Sequence, residues 1–320
     1  MTDIRLDPHH LRAFTQKSDI LGLVLISANW SLIALAFYLP VLLPYWPAYL
    51  LSVILLANRQ LGIAILMHDA SHYMLMKSRF LNLWLGRLLC GAPVLANLDS
   101  YRRYHLEHHK LAGSEHDPDY PNYKDYPITR PSLLRKILRD LLGITAIKML
   151  IALIHMNAGI RKYDMVFKSD SNTQPDKKLS MMTILRNLIS AFWQPVLVNC
   201  LLFGVLFTLG HGQLYLLWLI AFFTFYQLFA RFRNAAEHAS VPNLLDKNPF
   251  KHARTTKVSW WERLSFAPNY VNYHVEHHLR PNIPCYRLPA FHSHLRGLGF
   301  YDNVNIANGY NSIFSILIKK

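Results

Sequence analysis

The sequence predicts an all-α membrane protein: four transmembrane helices in two hairpins, with a cytoplasmic helical cap that holds a histidine-rich di-metal site. Three observations lead there. Of 320 residues, 52% are hydrophobic, and they gather in long uncharged runs rather than at amphipathic spacing. The basic residues behind a net charge of +15 crowd onto some segments and avoid two short loops between apolar runs. Finally, eight histidines fall into three compact clusters outside those runs.

Residues 21–39 are nearly free of charge and long enough to cross a hydrocarbon core of roughly 30 Å. Pro40, Pro44 and Pro47, with Tyr45 and Trp46 between them, make a turn whose aromatic rings suit the membrane interface. Residues 49–67 return. Arg59, toward the far end, leaves two readings: a side chain that snorkels to the interface, or a helix that runs on past the membrane. No Gly or Pro intervenes between Ala64 and Phe80, so continuation through His68–His72 is the expectation. The first apolar run is expected to act as an uncleaved anchor, because Met1–Ser18 lacks the layout of a cleavable signal.

Residues 81–98 are apolar but broken by Arg87, Gly91 and Pro93, and read as a buried or membrane-skimming helix rather than a span. Asp99 or Ser100 is positioned to cap the helix that carries His105–His109. The acidic, turn-rich Glu115–Tyr120 reads either as a set of partners for imidazoles or as a solvated loop. In 132–142, Leu133, Leu134, Ile137, Leu138, Leu141 and Leu142 oppose Arg135, Lys136 and Arg139, a basic amphipathic helix suited to the headgroup plane. His155, alone in the next apolar run, reads as structural, and 162–180 as a polar linker.

Residues 188–209 and 214–230 form the second pair of spans around Gly210-His211-Gly212-Gln213, and Trp260 and Trp261 are interface anchors. The loops at 40–47 and 210–213 contain no Lys or Arg, whereas 1–18, 68–187 and 231–320 hold almost all of them. By the positive-inside rule both termini and all three clusters are cytoplasmic. The whole chain, 1–320, then reads as one integral-membrane domain whose cap comprises 68–187 and 231–300.

The clusters are His68-Asp69-Ala70-Ser71-His72, His105-Leu106-Glu107-His108-His109 and His274-Val275-Glu276-His277-His278. Residues at i, i+3 and i+4 share a helical face, so each cluster can aim its imidazoles at one place. Eight rings are about twice what a tetrahedral zinc takes, which suggests two metal ions, and imidazole suits Fe, Zn, Cu and Ni alike. A ninth candidate, His238, follows the fourth span, with Asn234 one helical turn before it. Asp69, Glu107, Glu237 and Glu276 lie inside or beside the clusters, and are expected to accept the second ring N–H of ligating imidazoles.

Three clusters of this form, in this order, resemble the membrane-bound fatty acid desaturase and hydroxylase superfamily from about Asn58 to about Leu295. The resemblance implies a non-haem di-iron centre that activates O2 against an unactivated C–H bond of a long apolar substrate. Asn234-Ala235-Ala236-Glu237-His238 is similar to an element of the acyl-CoA desaturase branch that supplies one ligand and a water-holding amide, roles that would fall to His238 and Asn234. The first cluster is one residue shorter than in that branch, which points toward acyl chains on membrane lipids or another carrier. The run Asn272–Pro289 looks like the corresponding region of bacterial and plastid-type desaturases and of carotenoid oxygenases.

These features make an O2-dependent lipid desaturase the leading expectation. A hydroxylase or ketolase of the same superfamily, acting on a lipid or carotenoid, is the alternative. A non-catalytic metal protein or transporter fits less well, because transporters place ligands within their spans. No haem, iron–sulfur, flavin or dinucleotide motif is present, so electrons are expected from a ferredoxin or cytochrome b5 type of donor with its reductase. Nucleic acid is not an expected partner, since the basic residues flank apolar runs. Cys90, Cys200 and Cys285 show no metal-type or disulfide spacing, and no nucleophile elbow or Ser/His/Asp pattern suggests a hydrolase.

Overall fold

The computed structural model describes residues 8–163, 179–302, 304 and 306–319, and these are mostly helical. A short helix α1 (Pro8–Thr15) precedes α2 (Asp19–Leu42), which Ser18 caps by accepting from the Leu21 amide. After a turn at Leu43–Tyr45, α3 (Trp46–Ser71) packs along α2 and becomes the centre of the molecule. Burial sets α3 apart: 72% of its apolar stretch lies inside the protein, against 6% for the later apolar helix Met181–Thr208, whose side chains face outward.

As expected, α3 does not stop at the end of its apolar run but carries His68 through Ser71, with His72 as its C-cap. Arg59 does not snorkel. It is buried, donating through Nε to Asn58 Oδ1 at 2.8 Å and through Nη1 to Asn29 Oδ1 at 3.2 Å.

Next come α4 (Arg79–Leu85), a widened π turn at Gly86–Gly91 and a short 3-10 turn, then α5 (Leu98–Leu111), which departs at 92°. The Trp30 indole donates to the Leu89 carbonyl at 3.0 Å, which satisfies an acceptor in the π turn. Asn97, rather than Asp99 or Ser100, caps α5 by accepting from the Ser100 amide. Asp99 is engaged by Arg87 at 3.1 Å, and Asn97, two residues earlier, takes the cap.

A single turn, α6 (Tyr120–Tyr123), leads to α7 (Arg130–Leu141) and α8 (Ile144–Ala158). On α7, Leu134 and Leu138 are exposed, as a helix lying on a membrane surface requires, while buried Asp140 pairs with Arg231. His155 lies on the exposed side of α8. Most of the expected linker at 162–180 lies outside the described residues.

The third and fourth apolar elements are α9 (Met181–Thr208) and the pair α10 (Tyr215–Phe223) and α11 (Phe225–His238). The expected continuous span at 214–230 is therefore broken at Thr224 and extends to His238. Thr224 Oγ1 bonds back to the Ile220 carbonyl at 2.6 Å, and Gln227 Nε2 donates to the Phe222 carbonyl at 3.1 Å, so side chains satisfy the interrupted backbone.

Short pieces follow: α12 (Pro249–His252), β1 (Thr256–Lys257), α13 (Trp260–Arg263), α14 (His274–Leu279), α15 (Leu288–Gly297), β2 (Ala307–Asn308) and α16 (Gly309–Leu317). β1 and β2 pair in parallel, Thr256 with Ala307. One apolar cluster joins α3, α8, α10, α11 and α16. A second, including Leu66, Met67, Ala70, Leu98, Ile283, Phe291 and Leu295, packs beneath the ends of α3, α5 and α14.

Candidate metal centre

The histidines come from four helix ends that meet at one place: α3, α5, α11 and α14. His68, His72, His105, His109 and His277 form one group with one ligand nitrogen each, all within 4.8 Å of one another. His109 Nε2 lies 3.0 Å from His105 Nε2 and 2.9 Å from His277 Nε2. His109 Nε2 offers a single in-plane hydrogen or lone pair, so it cannot make a full hydrogen bond to both neighbours at once.

His108, His238 and His278 form a second group, and His274 stands with Glu237 and His238 in a third that overlaps it. His274 Nε2 is 2.8 Å from His238 Nε2 and 3.1 Å from His278 Nε2, and His108 Nε2 is 3.4 Å from His278 Nε2. The far ring nitrogens are held by the scaffold. Asp117 accepts from His108 Nδ1 at 2.7 Å, and the His252 carbonyl accepts from His238 Nδ1 at 3.1 Å. Such anchoring fixes the tautomer that turns Nε2 toward the centre.

Enclosure and neighbouring imidazoles push His105, His109, His274, His277 and His278 well below the usual imidazole range, and enclosure with the nearby Arg102 guanidinium pushes His72 down to about 3. These rings are neutral, with lone pairs free for a cation. At His108 burial acts downward too, but the Asp117 hydrogen bond and the charges of Asp119 and Asp117 outweigh it and raise the ring. The donor set fits a metal on a further point: His68 Nε2 and His72 Nε2 are enclosed with no hydrogen-bond partner, which is costly unless something binds them.

The carboxylates expected to orient imidazoles mostly do something else. Glu107 faces Lys162 at 3.6 Å on a half-exposed surface. Asp69 Oδ2 accepts from the Cys285 amide at 3.2 Å, tying α3 to the segment after α14. Glu276, fully buried, accepts from Thr255 Oγ1 at 2.5 Å and from His292 and Tyr301. The reason is helical geometry: spacing that gathers the histidines on one face turns the residue between them away. Glu237 does come near, 3.5 Å from His274 Nε2, while paired with Arg233. Asn234 is half-buried one turn before His238.

Other residues support the site without belonging to any cluster. Asp117 also receives Tyr123 OH, and the Tyr123 ring stacks on His238 with centroids 4.9 Å apart. Tyr101 stacks on His105 at 5.2 Å. Arg102 donates to the carbonyls of Ser71 and Ala70 at 2.7 and 3.2 Å, so the second cluster's helix caps the end of the first's. Only Asp117, within the acidic stretch, carried a signal in the sequence.

The pattern for fatty acid desaturases matches residues 44–305, which contain every candidate ligand and most of the chain. The chain belongs to the fatty acid desaturase family. It is also similar to dihydrorhizobitoxine desaturase of Bradyrhizobium elkanii, 27% identical over 280 residues that cover 85% of this chain and 74% of the relative. As a member of the desaturase family it is a desaturase-like oxidoreductase in a membrane and lipid context. The four long apolar helices and the histidine groups agree with that membership.

Proposed function

We propose that the nine imidazoles hold a non-haem di-iron centre and that the chain is an O2-dependent desaturase of an acyl chain on a membrane lipid or carrier. The observation that carries this reading is the gathering of nine imidazoles into adjacent donor groups, with Glu237 beside His238 and His274, and with His68 Nε2 and His72 Nε2 enclosed and satisfied by nothing else. His68, His72, His105, His109 and His277 would hold one iron, and His108, His238, His274 and His278 the other. Iron accepts imidazole in five- and six-donor sets, whereas a structural zinc closes at four. When bound, the irons supply the oxidant that cleaves C–H bonds, a task beyond side chains.

The residues of the chain prepare that chemistry. Asp117 and the His252 carbonyl orient His108 and His238, the stacked Tyr101 and Tyr123 restrict ring motion, and the surrounding apolar clusters keep bulk water away. Asn234 is read as the amide that contacts the second iron through water. The relative is named for a desaturation, which supports loss of two hydrogens as the outcome. O2 goes to water with two electrons from the substrate and two from a ferredoxin or cytochrome b5 type of donor. We also read α2–α3 and α9–α11 as two hairpins of one membrane domain, with the termini and the centre on the cytoplasmic side.

The test is the lipid and pigment mass profile of cells expressing the chain beside a matching electron donor, compared with cells expressing His277→Ala. New acyl chains lacking two hydrogens, present only with the intact protein, are expected. Products that gain an oxygen would move the reaction to hydroxylation or ketolation. An unchanged profile from correctly inserted protein would overturn the enzymatic reading.

A further inference from the structure

His252, at the end of α12, stands outside all three clusters yet is buried beside the centre. Its Nδ1 lies 2.8 Å from the Asp246 carbonyl oxygen, which can only accept, so Nδ1 carries the hydrogen and Nε2 the lone pair. That Nε2 is enclosed and without a hydrogen-bond partner. Among the described residues the other imidazole nitrogens in this condition are His68 Nε2 and His72 Nε2, both members of the five-imidazole group.

The same residue is tied to the second group twice. Its carbonyl accepts from His238 Nδ1 at 3.1 Å, and its ring stands 5.3 Å from the His278 ring at an interplanar angle of 78°. A ring anchored by Nδ1–H on a carbonyl, with Nε2 left open, is the arrangement that metal-ligating histidines adopt. Yet His252 joins no group of donors lying within 4.8 Å of one another. Its Nε2 is thus a lone pair beside the group that no hydrogen-bond donor satisfies.

We propose that His252 is a positioning residue whose Nε2 accepts a hydrogen bond from a water-sized, hydrogen-bearing ligand held beside His238 and His278. This inference rests on the metal reading above. Asn234, assigned a water-holding amide by resemblance, lies on α11. His252 adds an independent holder from α12, the element that also orients His238.

Two substitutions separate the ring's nitrogens, because an Asn side chain reaches about where Nδ1 lies and a Gln side chain about where Nε2 lies. The full-length protein in detergent is loaded with cobalt(II), the two affinities are titrated, and solvent deuterons near the metal are detected by pulsed paramagnetic resonance in D2O. His252→Asn should keep both metals, weaken the second about tenfold and lose most of the deuteron signal. His252→Gln should keep both affinities and the signal.

The reverse pattern would assign His252 a purely structural role through Asp246, and overturn the proposal. So would unchanged affinities and signal in His252→Asn. Complete loss of the second metal, equal to that in His238→Ala, would make His252 a direct ligand and overturn it as well. Wild-type protein that takes up no cobalt would instead bring down the metal reading on which the proposal stands.

Discussion

At the scale of single residues, the centre depends on a carboxylate that lies outside the histidine clusters. Asp117 is buried, accepts from His108 Nδ1 at 2.7 Å and also receives Tyr123 OH. Asp117→Asn offers one carbonyl oxygen where two carboxylate oxygens served two donors, and loses the charge that raises His108. Removal of such an outer partner typically weakens metal binding by roughly 10–100-fold. We expect the four-imidazole position to weaken by about tenfold and the five-imidazole position to keep its affinity, as measured by two-step metal titration of the purified protein. Glu107→Gln is the control: its exposed pairing with Lys162 is of the kind worth under about 1 kcal/mol, so neither affinity should move. The sequence presented these two acids in the opposite light. Glu107 stands inside a histidine cluster and attracts attention, while Asp117 lies in a turn that read equally well as solvated. His252 carried even less signal, because its importance comes from Asp246, His238 and His278 and from no helical spacing of its own.

At the scale of elements, apolar runs reported which helices exist, and side-chain hydrogen bonding decided where they stop. The four long helices and the continuation of α3 into the first cluster were legible, since no Gly or Pro interrupts that stretch. The break at Thr224 and the cap at Asn97 were not, because each depends on a partner elsewhere: Gln227 reaching Phe222, and Arg87 engaging Asp99. Close approach of α2 to the turn after α3 is similarly invisible in a hydropathy pattern. A Cβ on Gly22 would meet the Leu75 carbonyl oxygen at 2.4 Å and Met76 Cγ at 2.7 Å, and both Leu75 and Met76 are fully buried. Gly22→Ala must therefore push α2 off the turn that follows His72. Overpacking of this kind costs about 1–3 kcal/mol, so a lower thermal midpoint in detergent is expected. Gly204, on outward-facing α9, has nothing within 4 Å of an added Cβ. Gly204→Ala should be neutral or stabilise by up to about 1 kcal/mol through helix propensity. If both substitutions shift the midpoint alike, the packing argument fails.

At the scale of the whole molecule, the question is which side of the membrane each turn occupies, and internal contacts bear on it before any charge rule is applied. The start of α2 sits with the centre: the Ser18 amide donates to Tyr286 OH at 2.8 Å, and Asp19 Oδ1 accepts from the Ser78 amide at 2.8 Å. α3 ends in the first cluster and α11 ends at His238, so three helix termini converge there. At 1.5 Å per residue, the 26 residues of α3 carry the Leu43–Tyr45 turn roughly 39 Å away, more than the thickness of a hydrocarbon core. The turn between α9 and α10 likewise precedes a path of 27 residues, Gly212–His238, that leads back to the centre. Neither turn carries a Lys or Arg, whereas the segments around the centre are rich in both. A two-hairpin arrangement with a cytoplasmic centre therefore predicts a labelling pattern. With Cys200 replaced, and Cys90 and Cys285 protected by burial, a cysteine at exposed Leu43 or Leu209 should react with a membrane-impermeant maleimide on intact cells. A cysteine at exposed Lys257, beside the centre, should react only after the membrane is opened. Labelling of Leu43 and Leu209 from opposite sides would exclude the paired hairpins. Labelling of Lys257 from outside would place the centre away from cytoplasmic electron donors and require a different source of reductant.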